Sequence, residues 1–179
     1  MSNALDQSQS LPKLGRFRYL MGLYAENHQR LARMFAPRRL SVGHYRSRID
    51  DGLDLHLEVI ASHPYTQELR LSYLIRDPRT GMPDPSAHLR CYHDAEQLEA
   101  THCYIGRGWQ DVLGLNPRLP VLVGYRLRMN AFLGKWLEYL AEQGHSQFTL
   151  TPAPELARLS VAISGDGSAA DLPDPALAG

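Results

Sequence analysis

The sequence predicts an α+β domain: an antiparallel meander sheet of about five strands, with an N-terminal and a C-terminal helix packed on one face. Two segments near the ends of the chain carry an apolar residue every three or four positions, the period of an amphipathic helix. The middle of the chain alternates apolar and polar residues, the period of a half-buried strand. With 179 residues, 44% of them apolar and 21% charged, the chain can bury a core as a single domain, which we place at residues 13–150.

The first helix is predicted from Leu14 to Phe35. Residues 1–12 precede it, are rich in Ser, Gln and Asn, and are expected to be disordered. Pro37 ends the helix, because proline lacks an N–H and disfavours helical conformation in the residue before it. The predicted apolar stripe consists of Leu14, Phe17, Met21, Tyr24, His28, Leu31 and Phe35.

Five strands are predicted over residues 41–49, 53–61, 68–76, 87–94 and 97–105. Asp50-Asp51-Gly52 is a hairpin signal between the first two strands, and residues 76–86 form a loop by composition. Alternation places one set of side chains on the core side of the second and third strands. That set is Leu53, Leu55, Leu57, Val59, Leu69, Leu71, Tyr73 and Ile75.

The last hairpin contains most of the chemically versatile side chains. A turn at residues 94–97 would place Cys91 opposite Ala100 and would put Cys91 and Cys103 on opposite faces, which excludes a disulfide. His93 and His102 would share a face but lie roughly 13 Å apart, at about 3.3 Å per residue, too far to bind one ion. We therefore assign no metal ligand, no cofactor and no catalytic residue from the sequence.

The C-terminal third contains the clearest helical pattern. Residues 106–121 are rich in Gly and Pro and predict an irregular connection. Gly144 stands where a left-handed cap ends the helix that follows, and residues 151–179 are expected to be a disordered tail. The apolar face of this helix consists of Met129, Phe132, Leu133, Trp136, Leu137 and Leu140.

The zero net charge conceals a strong asymmetry along the chain. Residues 1–49 carry nine basic and two acidic residues, or +7, so residues 50–179 carry −7. Either the acidic part covers the basic part within one fold, or Arg30, Arg33, Arg38 and Arg39 form a partner-facing surface. Nucleic acid is not favoured as a partner, because these arginines flank a stripe that must face the sheet and no aromatic residue is placed for base stacking.

Composition also bears on the location of the protein. No apolar run approaches 18 residues, so no membrane interaction is expected, and the polar N-terminus lacks the apolar stretch of a secretory signal. Two cysteines cannot form a disulfide framework. These features predict a cytoplasmic protein.

Two segments carry motifs beyond simple periodicity: LRCYHDAEQLEA at Leu89–Ala100, with its YHDA-x-x-x-E pattern, and NAFLGKWLEYLAEQGH at Asn130–His145. The first resembles a segment of the YqiB-like family of uncharacterised bacterial proteins (domain of unknown function 1249), and the second is similar to the last helix of that family. Weaker matches lie at residues 25–37 and 58–71, but the family's D-E-K run before the last helix is replaced here by VGYRLRMN. The resemblance implies a small bacterial cytoplasmic protein and brings no established activity, cofactor or catalytic residue.

The sequence lacks a phosphate-binding loop, a nucleophile elbow, a zinc-protease helix and a CxxC pair, and it favours a non-enzymatic binding or regulatory module. Its partner would be an unknown protein or small molecule. Arg90 and Glu99 are either a cross-strand charge pair or part of a ligand-binding floor. The alternative function is a small-molecule-binding protein or enzyme with a pocket between the sheet and the C-terminal helix, lined by Tyr65, Tyr92, Trp109 and Trp136. The candidate binding surface comprises Asn27, Tyr65, Arg90, Tyr92, His93, Asp94, Glu99 and Asn130.

Overall fold

A computed structural model of the chain describes residues 7–81, 83–104 and 119–158. Its two long helices are α1 (Gln7–Phe35) and α2 (Leu119–Glu142). Its strands are β1 (Gly43–Ser47), β2 (Leu55–Ser62), β3 (Thr66–Tyr73), β4 (Ser86–Tyr92), β5 (Gln97–Tyr104) and β6 (Leu150–Pro152). Short 3-10 helices lie at Pro37–Arg39 and Pro154–Leu156. The predicted α+β class is confirmed.

The six strands form one sheet in the order β5-β4-β3-β2-β1-β6, with every neighbouring pair antiparallel. The meander of β1 to β5 follows the prediction. The prediction missed β6, which pairs with β1 from Tyr45 opposite Pro152 to Ser47 opposite Leu150. Three residues are too few to show an alternating pattern, so this strand has no signal of its own in the sequence.

Both helices pack on the same face of the sheet, and the core lies between them and the strands. Leu133, Leu137 and Leu140 of α2 are completely buried, and Trp136 packs edge-on against Tyr73 of β3 with ring centroids 5.6 Å apart. Gly144 ends the helix with φ +95°, as predicted. The predicted inward positions Leu53 and Ile75 are wrong, since both lie beyond the strand ends and are about half exposed.

The apolar stripe of α1 differs from the predicted one. Phe17 is 55% exposed, whereas Asn27 is completely buried among the apolar contacts of the helix. The helix also begins at Gln7, within the segment expected to be disordered. The observed stripe consists of Leu20, Leu23, Tyr24, Asn27, Leu31, Met34 and Phe35.

The β4–β5 register differs from the predicted one, because the turn lies at residues 93–96 and a β-bulge interrupts the pairing further along the strands. Cys91 lies opposite Leu98, Leu89 lies opposite Ala100, and His88 lies opposite His102, so Thr101 is the extra residue. The bulge brings Cys103 to the core side, the face that Cys91 occupies, and turns His102 outward. The cysteines are free although they share a face, because they lie about four residues apart along the hairpin, roughly 13 Å.

The segment after α2 closes the other edge of the sheet. The Ala153 N–H donates to the His44 carbonyl at 2.8 Å, and Leu156 is 3% exposed. The start of the segment expected to be a disordered tail is therefore folded against β1, while residues 159–179 lie outside the described residues. Neither described helix is both long and apolar enough to span a membrane.

Candidate functional site

Asn27 and Asn130, two members of the candidate binding surface, have no exposed surface. The Asn27 side-chain amide donates to the Asn130 carbonyl at 2.9 Å, and Asn130 Oδ1 accepts the Ala100 N–H at 2.8 Å. The Asn130 amide also donates to the Arg126 carbonyl within α2. These side chains join α1, α2 and β5, and they do not reach a partner at the surface.

Glu99 of β5, the neighbour of Ala100, also contacts α2 and is 9% exposed. Its carboxylate accepts hydrogen bonds from the Tyr92 hydroxyl and from Arg126 of α2. Arg90 lies directly opposite Glu99 in the strand register but binds Glu68 at 2.9 Å. Arg90 and Glu99 thus have separate ion-pair partners.

The aromatic pocket proposed between the sheet and the C-terminal helix is not assembled by its described members. Trp136 is a core residue, and Tyr65 is 66% exposed in the β2–β3 turn. Trp109 lies outside the described residues. Asp94, from the candidate surface, is exposed in the β4–β5 turn.

His93 lies in a cluster of potential metal ligands, together with His28 of α1 and Cys91 of β4. One ligand atom from each lies within 4.8 Å of the other two. Cys91 Sγ is 3.6 Å from His93 Nδ1, and His93 Nε2 is 3.0 Å from Gln67 Oε1. The Gln67 amide nitrogen lies within hydrogen-bonding distance of the Pro37 carbonyl and the Ser62 hydroxyl, so its oxygen is oriented toward His93.

The burial of this cluster sets its protonation. Burial lowers the pKa of His28, with Glu96 acting against it. Burial also lowers the pKa of His93, where Arg38 adds to the effect and Asp94 opposes it. Burial raises the pKa of the Cys91 thiol to about 11, so the metal-free side chain is a neutral thiol.

An open cleft of about 260 Å³ adjoins the cluster. Arg38 and Arg39 stand at its rim, exposed and without an ion-pair partner in the described part of the chain. The cleft thus combines exposed guanidinium groups with two imidazoles. Its lining consists of His28, Ala32, Ala36, Pro37, Arg38, Arg39, His93 and Glu96.

The opposite face of the sheet carries a second polar arrangement. His44, Glu58, Arg70, His88 and His102 lie directly opposite one another on successive strands from β1 to β5. Neighbouring side chains of the row contact one another. Arg70 binds the Glu58 carboxylate, and the rings of His88 and His102 meet edge to face. This row is a polar network on the outer face of the sheet, and its His88 and His102 end is exposed.

Sequence reasoning identified part of the cluster. The alternation of β4 places Cys91 and His93 on one face of the hairpin, and His28 falls in the predicted stripe of the first helix. The sequence offered no indication that His28 lies beside His93, because the contact depends on how α1 packs across the sheet. The sequence identified Arg38 and Arg39 as part of a basic surface, but it did not indicate that they line a cleft.

The fold and the cleft define an α+β domain with its helices on one sheet face and a basic, histidine-lined cleft at the end of α1. The chain belongs to the family described as "Protein of unknown function (DUF1249)", whose family model matches residues 30–146. This match covers α1 from Arg30, the whole β1–β5 meander and α2. Neither the curated proteins nor the solved structures include a significant match.

Proposed function

We propose that the protein is a cytoplasmic, non-enzymatic binding or regulatory module, and that the cleft between Arg38 and His93 is its binding site. The observation that carries the proposal is the pair of exposed arginines, Arg38 and Arg39, at the rim of a concave site. An anionic group, a carboxylate or phosphate of a small molecule or a partner segment, is the ligand that paired guanidinium groups favour.

The partners of two other arginines of the basic segment support the choice of this cleft. Arg46 and Arg48 of the basic segment pair with Asp54, and Arg46 also pairs with Glu155, so their charge is compensated within the fold. Arg38 and Arg39 lack such compensation in the described part of the chain. Glu96 contributes one negative charge to the cleft, which leaves it with a net positive charge.

The chemistry of the buried side chains supports a non-enzymatic role. Cys91 with His93, and Ser47 with His145 at 2.7 Å, pair a nucleophilic atom with an imidazole. Cys91 is 1% exposed and Ser47 is fully buried, so a substrate cannot reach either atom. Burial also keeps the Cys91 thiol protonated, the form that does not act as a nucleophile.

A titration with inorganic pyrophosphate tests the proposal. The amide signals of His28, His93 and Glu96 are followed by NMR at low salt in the presence of a chelator, so that metal does not contribute. We expect saturable shifts at these residues, and a loss of affinity of at least about tenfold in Arg38→Ala/Arg39→Ala, because the charge-assisted contacts are removed.

Arg16→Ala/Arg18→Ala is the matched control, since it removes the same charge from exposed positions of α1 that do not line the cleft. This control should bind pyrophosphate nearly as the wild type does. Equal affinity in both double variants would show that net charge alone attracts the anion, and would reject the cleft as the site.

A further inference from the structure

We propose that His28, Cys91 and His93 form a binding site for one zinc ion at the floor of the cleft. The three residues come from α1, β4 and the turn after β4, and they supply two imidazole nitrogens and one sulfur. The Cys91 thiol would release its proton to solvent when the Zn–S bond forms, which gives a donor set that suits Zn²⁺. The zinc site uses residues of the proposed binding cleft but does not depend on an anion binding there.

The distance between two of the donors already matches zinc coordination. Bonds of about 2.3 Å to sulfur and 2.0–2.1 Å to nitrogen, at a tetrahedral angle, place these atoms about 3.6 Å apart. Cys91 Sγ and His93 Nδ1 are separated by 3.6 Å. His28 is within 4.8 Å of both, so this half-buried side chain would move by at most about 1.5 Å to complete the site.

Gln67 provides the support that metal-binding histidines require. Such a histidine usually donates its second ring N–H to an acceptor, which fixes the tautomer and leaves the other nitrogen free for the metal. Gln67 Oε1 is that acceptor for His93 Nε2, at 3.0 Å. Because the Gln67 amide nitrogen is directed at the Pro37 carbonyl, the carbonyl oxygen of the side chain cannot exchange places with it. His93 Nδ1 is therefore left unprotonated beside the Cys91 sulfur.

Access and charge are also suitable. His28 and His93 line the cleft, so an ion can reach them from solvent, while Cys91 lies behind them. Three protein ligands leave a fourth position, which water or an anionic ligand can occupy. Glu96 acts electrostatically on His28 and Asp94 on His93, so each histidine has a nearby carboxylate that favours a bound cation.

The other group with suitable donor atoms, His44, His56 and Glu58, does not offer the same conditions. Glu58 is bound by Arg70, and His44 Nδ1 is 3.1 Å from His56 Nε2, so these donors are already engaged with one another. Arg46 also lies near His56 and adds a second positive charge. A cation at that position would have to displace these contacts.

Cobalt and zinc titrations of the full chain under reducing conditions test the site. We expect one Co²⁺ to bind, with the ultraviolet charge-transfer band of a thiolate ligand, and one Zn²⁺ to displace it. Cys91→Ala should lose the band and weaken Zn²⁺ binding at least about tenfold. Cys103→Ala removes the other buried thiol and should behave as the wild type.

His28→Ala provides a second test, because its side chain is half-buried on the helix and its removal should leave the far-ultraviolet circular dichroism unchanged. It should retain the thiolate band and bind zinc at least about tenfold more weakly. Absence of the band in the wild type, or equal zinc affinities in Cys91→Ala and Cys103→Ala, would overturn the site. Pyrophosphate binding with chelator present remains a separate result, so failure of one proposal does not imply failure of the other.

Discussion

Gly134 shows how a single residue controls the contact between the helices. It lies in the middle of α2, where glycine usually costs about 1 kcal/mol relative to alanine. A Cβ at this position would lie 2.9 Å from Asn27 Oδ1. Asn27 cannot easily retreat, because its amide donates to the Asn130 carbonyl and its side chain is fully buried. Glycine therefore permits the close approach of α1 and α2.

The substitution Gly134→Ala should destabilise the protein. We expect a net loss of about 1–2 kcal/mol in the free energy of unfolding, since overpacking costs typically 1–3 kcal/mol and the helix propensity of alanine returns part of it. Urea denaturation followed by circular dichroism measures the change.

Gly124→Ala is the control within the same helix. A Cβ at Gly124 meets no atom within 4 Å, so only helix propensity changes. This variant should be more stable than the wild type by about 0.5–1 kcal/mol. Stabilisation of both variants would show that α1 and α2 do not depend on a glycine at their contact.

At the scale of elements, Asn130 attaches α2 to the edge strand of the sheet. Asn130→Ala removes the acceptor of the Ala100 N–H and the donor to the Arg126 carbonyl. We expect a loss of about 1–3 kcal/mol in stability, because a buried N–H is left unpaired. Hydrogen exchange should show the Ala100 amide losing its protection before the amides of β2 and β3.

Thr101→Ala is the control for Asn130→Ala, since Thr101 follows Ala100 in β5. The Thr101 hydroxyl donates to the His88 carbonyl at 3.2 Å in an exposed position, so its loss should change stability by less than about 0.5 kcal/mol. If Asn130→Ala left the exchange of the Ala100 amide unchanged, the link between α2 and β5 would not depend on this side chain.

The same elements show how far sequence patterns predict the fold. The five strands of the meander and the helix containing Trp136 have strong periodicity, and all were predicted. The bulge at Thr101 was not predicted, because an extra residue reverses the alternation without changing the composition of the strand. Asn27 was not assigned to the core for a related reason: a polar residue in an apolar stripe is interpreted as surface until its partner is known.

Prediction of the candidate site was limited in the same way. Alternation placed Cys91 and His93 on one face of the hairpin. The cluster also needs His28 of α1, and no local sequence pattern specifies where α1 packs on the sheet. Asn27 and Asn130 were chosen as polar residues that match the family pattern, and Glu99 as part of a polar strand face. Their hydrogen bonds join the two helices to β5. Local periodicity predicts which side chains share one face of a helix or strand. A binding site also depends on how helices and strands pack against one another, which periodicity does not predict.

At the scale of the whole molecule, the charge asymmetry is resolved in two ways. Arg46 of β1 is compensated by Asp54 and Glu155 from the acidic part of the chain. Arg38 and Arg39 at the end of α1 are exposed beside the cleft. The two alternatives derived from the sequence thus concern different parts of the basic segment: the charge of Arg46 is compensated within the fold, whereas the charges of Arg38 and Arg39 are exposed to solvent.

Buried histidines should also make the stability of the whole domain depend on pH. His56 is 5% exposed, and its pKa falls from 6.5 to about 4. Burial is the main cause; His44, Arg70 and Arg46 add to it, and Glu58 opposes it. Because the folded state has the lower pKa, the unfolded state binds more protons between these two values.

The contribution of His56 to stability should therefore be complete above about pH 6.5 and fall as the pH decreases to about 4, by an amount on the order of 3 kcal/mol. The free energy of unfolding, measured by urea titration at pH 4.5 and 7.5, gives this dependence. His56→Gln should show a smaller difference between the two pH values than the wild type. His63→Gln, at an exposed histidine in the β2–β3 turn, should keep the wild-type difference. Equal differences in all three proteins would mean that burial of His56 does not link folding to proton binding.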